Sequence, residues 1–148
     1  MPFTTLSQWS VGRTRPQGNF PVGVLDPSFV IGGVGFTAAS ENYAIAVQTD
    51  GKIIVGGSFT TWNGVARNRI IRFNVNGTVD GGFTTAIGTG PNSLVRRIVI
   101  QSDTKIIVAG DFTLWNGVTT NRVVRLENTG AVDAAFRTNN GTGASARV

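Results

Sequence analysis

The groups in this chain that could do acid–base or nucleophilic work are few and evenly spaced. It holds eight Asp plus Glu, no His and no Cys, so Ser-His, Cys-His, imidazole and thiolate designs are missing from the sequence. Carboxylates remain. Asp50 returns as Asp103 and Asp80 as Asp133, each 53 residues later. A carboxylate pair doing general acid and base chemistry needs one member held in a different environment from the other. Even repetition gives both the same surroundings. Asp50 and Asp103 therefore read as turn formers. Asp80 and Asp133 read as partners of arginines that recur with the same period, Arg69 and Arg72 with Arg122 and Arg125. No catalytic residue, metal site or cofactor is expected. There is no alternating Asp/Asn calcium loop, and Gly32-Gly33-Val34-Gly35 lacks the Lys-Ser or Lys-Thr pair of a phosphate loop.

Binding chemistry is better represented. Trp62-Asn63-Gly64 and Trp115-Asn116-Gly117 place an indole beside an amide, the combination that stacks on a sugar ring and orients its hydroxyls. Trp62, Asn63, Trp115 and Asn116 are thus the candidate ligand residues. The alternative is that each Trp packs over its own turn or between repeat units. Arg96-Arg97 is the one adjacent Arg pair. It stands where the first copy has Tyr43-Ala44, which suits an assembly interface. The net charge of +5 comes from a shortage of acids against eleven Arg and two Lys, and arginines that recur once per unit serve the unit. Nucleic acid is therefore disfavoured as a partner.

The elements that must position these groups repeat as well. Between 45 and 83, 21 of 39 residues are identical to those 53 positions on. A fixed period of this size means an array of one supersecondary unit that cannot bury its apolar face alone. Asp50-Gly51 and Asn76-Gly77 are hairpin signals. Tyr43–Val47, Lys52–Val55, Asn68–Phe73 and Val79–Phe83 read as four short strands. Their apolar runs, such as Ile53-Ile54-Val55, suit sheets covered on both faces. The expected fold is all-β: propeller-type blades of four-stranded antiparallel sheets with a repeat of about 53 residues. Residues 25–78 form the first blade, 79–131 the second, and 132–148 begin a third. Residues 1–24 have no periodicity and read as an extended docking arm or a frayed leader, with Trp9, Arg13 and Arg15 as the docking contacts.

The motifs resemble the delta-60 β-propeller repeat. Leu25-Asp26-Pro27-Ser28-Phe29 carries its first part, and Ala46 to Phe59, through Gln48-Thr49-Asp50-Gly51-Lys52, its second. Asn63-Gly64 with Asn68-Arg69-Ile70-Ile71-Arg72-Phe73-Asn74 and Gly77 carries its third. The second copy departs at Thr104, Ala109 and Glu127. The resemblance implies a propeller fold and modules of bacterial surface proteins and of phage virion or tail proteins.

Two periods make an incomplete ring, since propellers have roughly 4–8 blades. Either the chain continues into further copies, or several chains close one ring, three chains of two blades giving six. A lone two-bladed monomer would leave broad apolar faces open. No segment approaches the ~18 apolar residues of a membrane span, and Met1 to Leu6 lack the charged and apolar regions of a Sec signal. The expected function is a non-enzymatic structural or interaction module. The expected setting is a phage virion (made in the host cytoplasm), as a tail-fibre or baseplate-associated protein with protein partners. The alternative is a carbohydrate-binding propeller, a lectin-like adhesin on the extracellular surface.

Overall fold

The computed structural model describes residues 29, 35–37, 40–140 and 143–144. The first blade opens with β1 (Asn42–Val47), which turns through Asp50-Gly51 into β2 (Ile53–Gly57). Gly51 takes φ 80°, and Asp50 Oδ1 accepts from the Lys52 amide at 3.1 Å, so the Asx side chain and the glycine together make the turn. β2 then pairs with β5 (Ile70–Phe73), giving the antiparallel order β1-β2-β5. Between β2 and β5 the chain makes an excursion, the small hairpin of β3 (Thr61–Trp62) and β4 (Val65–Ala66). Its two turn residues, Asn63 and Gly64, both have positive φ, as a tight two-residue hairpin requires.

The second blade repeats this plan. β6 (Val95–Ile100), β7 (Ile106–Gly110) and β10 (Val123–Leu126) form its sheet, and β8 (Leu114–Trp115) with β9 (Val118–Thr119) its excursion. Thr104 stands in place of the turn glycine at φ 68°.

The fourth strand is smaller than the sequence suggests. It contracts to single bridges, Val79 on Phe73 and Val132 on Leu126. The expected strand over 79–83 is overturned by a helix, α1 (Gly81–Ile87), whose counterpart is α2 (Ala134–Asn140). Asp80 is the reason: its Oδ1 accepts from the Phe83 amide at 3.1 Å as a helix N-cap, and Gly88 closes the far end at φ 64°. Phe83 and Ile87, four residues apart, then point to one side of α1 and are buried. The segment that opens the second repeat in the sequence thus pairs physically with the first sheet.

Two apolar clusters hold the blades. One joins Ile54 and Ile70 of the first sheet, Phe83 and Ile87 of α1, and the near face of the second sheet, including Ile106, Val108, Phe112, Trp115, Val124 and Leu126. The other is the opposite face of the first sheet, Val55, Phe59, Trp62, Ile71 and Phe73, with Phe36 against it. The blades touch closely. A Cβ on Gly56 would come within 2.4 Å of Val95 Cγ1. Within each blade, a Cβ on Gly57 or Gly110 would meet the carbonyl oxygen of Glu41 or Leu94 at about 2 Å, so only glycine lets the strand lie under that connection.

Candidate functional site

Each blade carries the same charged cluster. In the first, Asp80 Oδ1 caps α1, while Oδ2 accepts from Arg72 Nε at 3.1 Å and lies 2.9 Å from Arg72 Nη2 and 3.1 Å from Lys52 Nζ. In the second, Asp133 Oδ1 accepts from the Phe136 amide at 3.0 Å. Its Oδ2 takes Arg125 Nε at 3.0 Å and Lys105 Nζ at 2.6 Å. The guanidinium of Arg72 stacks 4.2 Å over Phe83, and that of Arg125 4.7 Å over Phe136. Each Asp therefore divides its two oxygens between a helix cap and an ion pair. Burial pushes the Asp80 carboxyl up, but the Phe83 amide, Lys52 and Arg72 outweigh it and lower it to about 2. Lys105, the Phe136 amide and Arg125 hold Asp133 well below the ordinary carboxylate range, and Asp133 and Glu127 in turn raise Lys105.

The brace expected between the repeated arginines and Asp80 and Asp133 is thus formed by Arg72 and Arg125. Arg69 and Arg122 do other work. Their backbones are left-handed, with φ 63° and 69°, and bond Phe59 and Phe112 through N–H and Gly57 and Gly110 through C=O. Gln48 and Lys52 were not singled out from the sequence, although both recur unchanged as Gln101 and Lys105.

The first brace also reaches across to the second blade. Arg72 Nη1 donates to Gln48 Oε1 at 3.1 Å and to the Asn128 carbonyl at 2.5 Å, and Gln48 Nε2 donates to Asn128 Oδ1 at 2.6 Å. Among the described residues the second brace lacks this reach. Gln101 Oε1 is buried and has no hydrogen-bond partner among the described residues. The Arg125 side chain is 24% exposed where that of Arg72 is 6%.

The proposed ligand residues lie in a different place from an open lectin site. Trp62 is 7% exposed and Trp115 2%. Trp62 packs edge-on to Phe36 and Phe73, with centroids 4.5 and 4.9 Å away, and Trp115 to Phe112 at 5.6 Å. Neither indole leaves a face free for a sugar. The amides are engaged as well: Asn63 Oδ1 accepts from the Gly35 amide at 2.7 Å, and Asn116 Oδ1 from Gly90 at 2.7 Å and Thr89 Oγ1 at 3.2 Å. These four residues fasten the linker before each blade to that blade's excursion.

Arg96 forks onto Asp111 through Nε at 2.9 Å and Nη2 at 2.5 Å, 5.5 Å from the Tyr43 ring. Arg97 donates to the Arg96 carbonyl at 3.0 Å and is otherwise exposed. With Tyr43, Ala109 and Gly110 they line a pocket of about 280 Å³ where the blades meet. Trp9, Arg13 and Arg15 lie outside the described residues. Among the described residues no group of three acidic residues is placed to hold a metal ion, and no helix is long and apolar enough to cross a membrane.

The family described as Domain of unknown function (DUF5122) beta-propeller matches residues 48–83 and 101–136. The two units have the fold of β-propeller blades. Each matched segment starts at the brace glutamine and ends at the phenylalanine under the brace arginine, so the β-propeller repeat contains the whole charged cluster. Two such blades fall short of the roughly 4–8 of a closed propeller. No curated protein and no solved structure matches the chain.

Proposed function

We propose that this chain is a non-enzymatic structural and interaction module of the delta-60 type, and that it serves in a phage virion as a tail-fibre or baseplate-associated component. The observation that carries the module reading is the repeated brace. Asp80, Arg72 and Lys52, and again Asp133, Arg125 and Lys105, satisfy one another and the adjoining helix cap. Charged groups saturated in this way stiffen a platform and are not poised for turnover. Arg96 is likewise spent on Asp111, which leaves Arg97 as the exposed guanidinium for a protein partner. The virion setting follows from the delta-60 resemblance, with residues 1–24 as the docking arm.

The test is a virion incorporation assay on a chain lacking residues 1–24, with circular dichroism on the same protein. The expected result is an unchanged strand spectrum and loss of incorporation. Full incorporation of the shortened chain would remove the arm from the reading, and unfolding would assign it to the core instead.

A further inference from the structure

Asn63-Gly64, Asn76-Gly77 and Asn116-Gly117 are Asn-Gly pairs within the described residues. A glycine leaves the amide nitrogen after an asparagine unshielded by any side chain, so that nitrogen can attack the asparagine's own side-chain carbonyl. The fold treats the three pairs differently. Asn63 Oδ1 is held by the Gly35 amide, and Asn116 Oδ1 by the Gly90 amide and the Thr89 hydroxyl. These donors sit in linkers 26 to 28 residues upstream. The Asn116 amide also packs on Gly88, where an added Cβ would come within 2.9 Å of Oδ1. Either side chain would have to give up these contacts to close onto its own glycine.

Asn76 is arranged the other way. It is exposed, and its Oδ1 accepts from the Thr78 amide at 3.1 Å and from Thr78 Oγ1 at 2.7 Å. Asn74 Nδ2 donates to the same hydroxyl at 3.0 Å, which leaves the hydroxyl free to donate to Asn76. The side chain thus curls past Gly77 toward Thr78. Two donors lie on the oxygen that gathers negative charge when its carbonyl is attacked, and both bonds strengthen as the charge develops. One bond resists: the Gly77 N–H is held by the Asn74 carbonyl at 2.9 Å and must open first.

We propose that Asn76 is a site of self-catalysed deamidation. The Gly77 nitrogen loses its proton and bonds to Asn76 Cγ. The Cγ–Nδ2 bond breaks, and Nδ2 takes up a proton and leaves as ammonia. Water then opens the cyclic imide at either carbonyl, giving aspartate or isoaspartate. The second blade is immune, because Thr129 stands at the position of Asn76 and Ala131 at that of Thr78. Thr129 Oγ1 accepts from the Ala131 amide at 3.4 Å, which keeps the turn without a carbonyl to attack. In the first blade the turn leads from β5 to Val79, bridged to Phe73, and to Asp80, whose N–H bonds the Arg72 carbonyl at 2.9 Å. An isoaspartate lengthens the main chain between these anchors by one methylene. The modification therefore loosens the Arg72–Asp80 brace slowly and in one direction. This goes beyond the module reading and does not depend on it.

The test incubates the whole chain in warm, mildly alkaline buffer and follows each Asn-Gly peptide by mass spectrometry, with isoaspartate assayed alongside. Asn76 is expected to convert at least about tenfold faster than Asn63 and Asn116, the factor supplied by one hydrogen bond that the other two must break. In concentrated urea the three are expected to convert at similar rates. Thr78→Val is expected to slow Asn76 by about tenfold, and Thr78→Ser to leave it nearly unchanged, with near-ultraviolet circular dichroism of Trp62 and Trp115 checking that both variants fold. After ageing, the unsubstituted chain is expected to unfold at lower urea than an Asn76→Gln chain aged beside it. Conversion of Asn63 or Asn116 ahead of Asn76, the same ranking in urea as in the folded chain, or a Thr78→Val rate equal to or above the original would overturn the proposal. Equal urea midpoints after ageing would overturn the loosening of the brace.

Discussion

Arg72 Nη1 lies 2.5 Å from the carbonyl oxygen of Asn128, 56 residues away in sequence, and this bond ties the middle of one blade to the outer turn of the next. The same guanidinium holds Asp80 through Nε and Nη2. This side chain therefore bonds its own sheet, the helix cap behind it and the neighbouring blade.

Arg72→Ala is expected to cost about 3 kcal/mol of unfolding free energy, because it leaves the partly buried Asp80 and the buried Gln48 with part of their partners gone. Arg125→Ala, at a side chain four times as exposed, is expected to cost less. Urea titrations followed by tryptophan fluorescence read both, and an equal loss at the two positions would contradict the bridging role of Arg72.

Stability is expected to fall in acid. The Asp80 carboxyl has a folded pKa of about 2 against an ordinary 3.8. It binds fewer protons folded than unfolded between those values, so its contribution is complete above about pH 4 and is lost as pH drops toward 2. Asp133 is shifted in the same direction. Thermal melts across that window should show the decline, and Asp80→Asn should flatten it.

Thr104 occupies a left-handed turn position, φ 68°, that the first blade gives to Gly51. A β-branched residue is strained there. Thr104→Gly is expected to stabilise the chain by about 1 kcal/mol, and Gly51→Thr to destabilise it by at least as much. Denaturation midpoints of the two exchanges provide the check, each blade serving as the other's control.

Asn116→Ala is expected to cost about 1–2 kcal/mol, since the Gly90 amide and Thr89 hydroxyl lose their acceptor. Trp115→Ala is expected to cost about 3–5 kcal/mol as a core truncation. Both losses should appear in denaturant titrations without any sugar present, and a glycan array should give no signal that depends on Trp62 or Trp115.

The repeat, the hairpin turns at Asp50 and Asp103, and the pairing of Asp80 and Asp133 with arginines were legible because each leaves a local signature that recurs at the same offset. The helix was not. Val79-Asp80-Gly81-Gly82-Phe83 looks like a strand flanked by turn residues, and only the Asp80 cap, the Gly88 stop and the Phe83/Ile87 spacing argue otherwise. The Trp-Asn-Gly loops read two ways, as an indole and amide set for a sugar or as indoles packed over their own turns or between units. Their burial depends on Phe36 and on the linkers at Gly35 and Gly90, which lie about 25 residues upstream and share no pattern with them. The choice of Arg72 over Arg69 for the Asp80 pair follows from the left-handed backbone at Arg69, which no composition rule announces.

The division of labour at Asp80, one oxygen for the helix and one for the preceding sheet, sets where such an array can be cut and rejoined. A gene exchange that breaks between Thr78 and Val79 separates each sheet from the cap that stabilises it. A break at Gly88-Thr89 instead passes on a sheet, its brace and its helix intact. Whole blades are therefore transplantable at the second seam and fragile at the first, although the amino-acid repeat alone would favour the first.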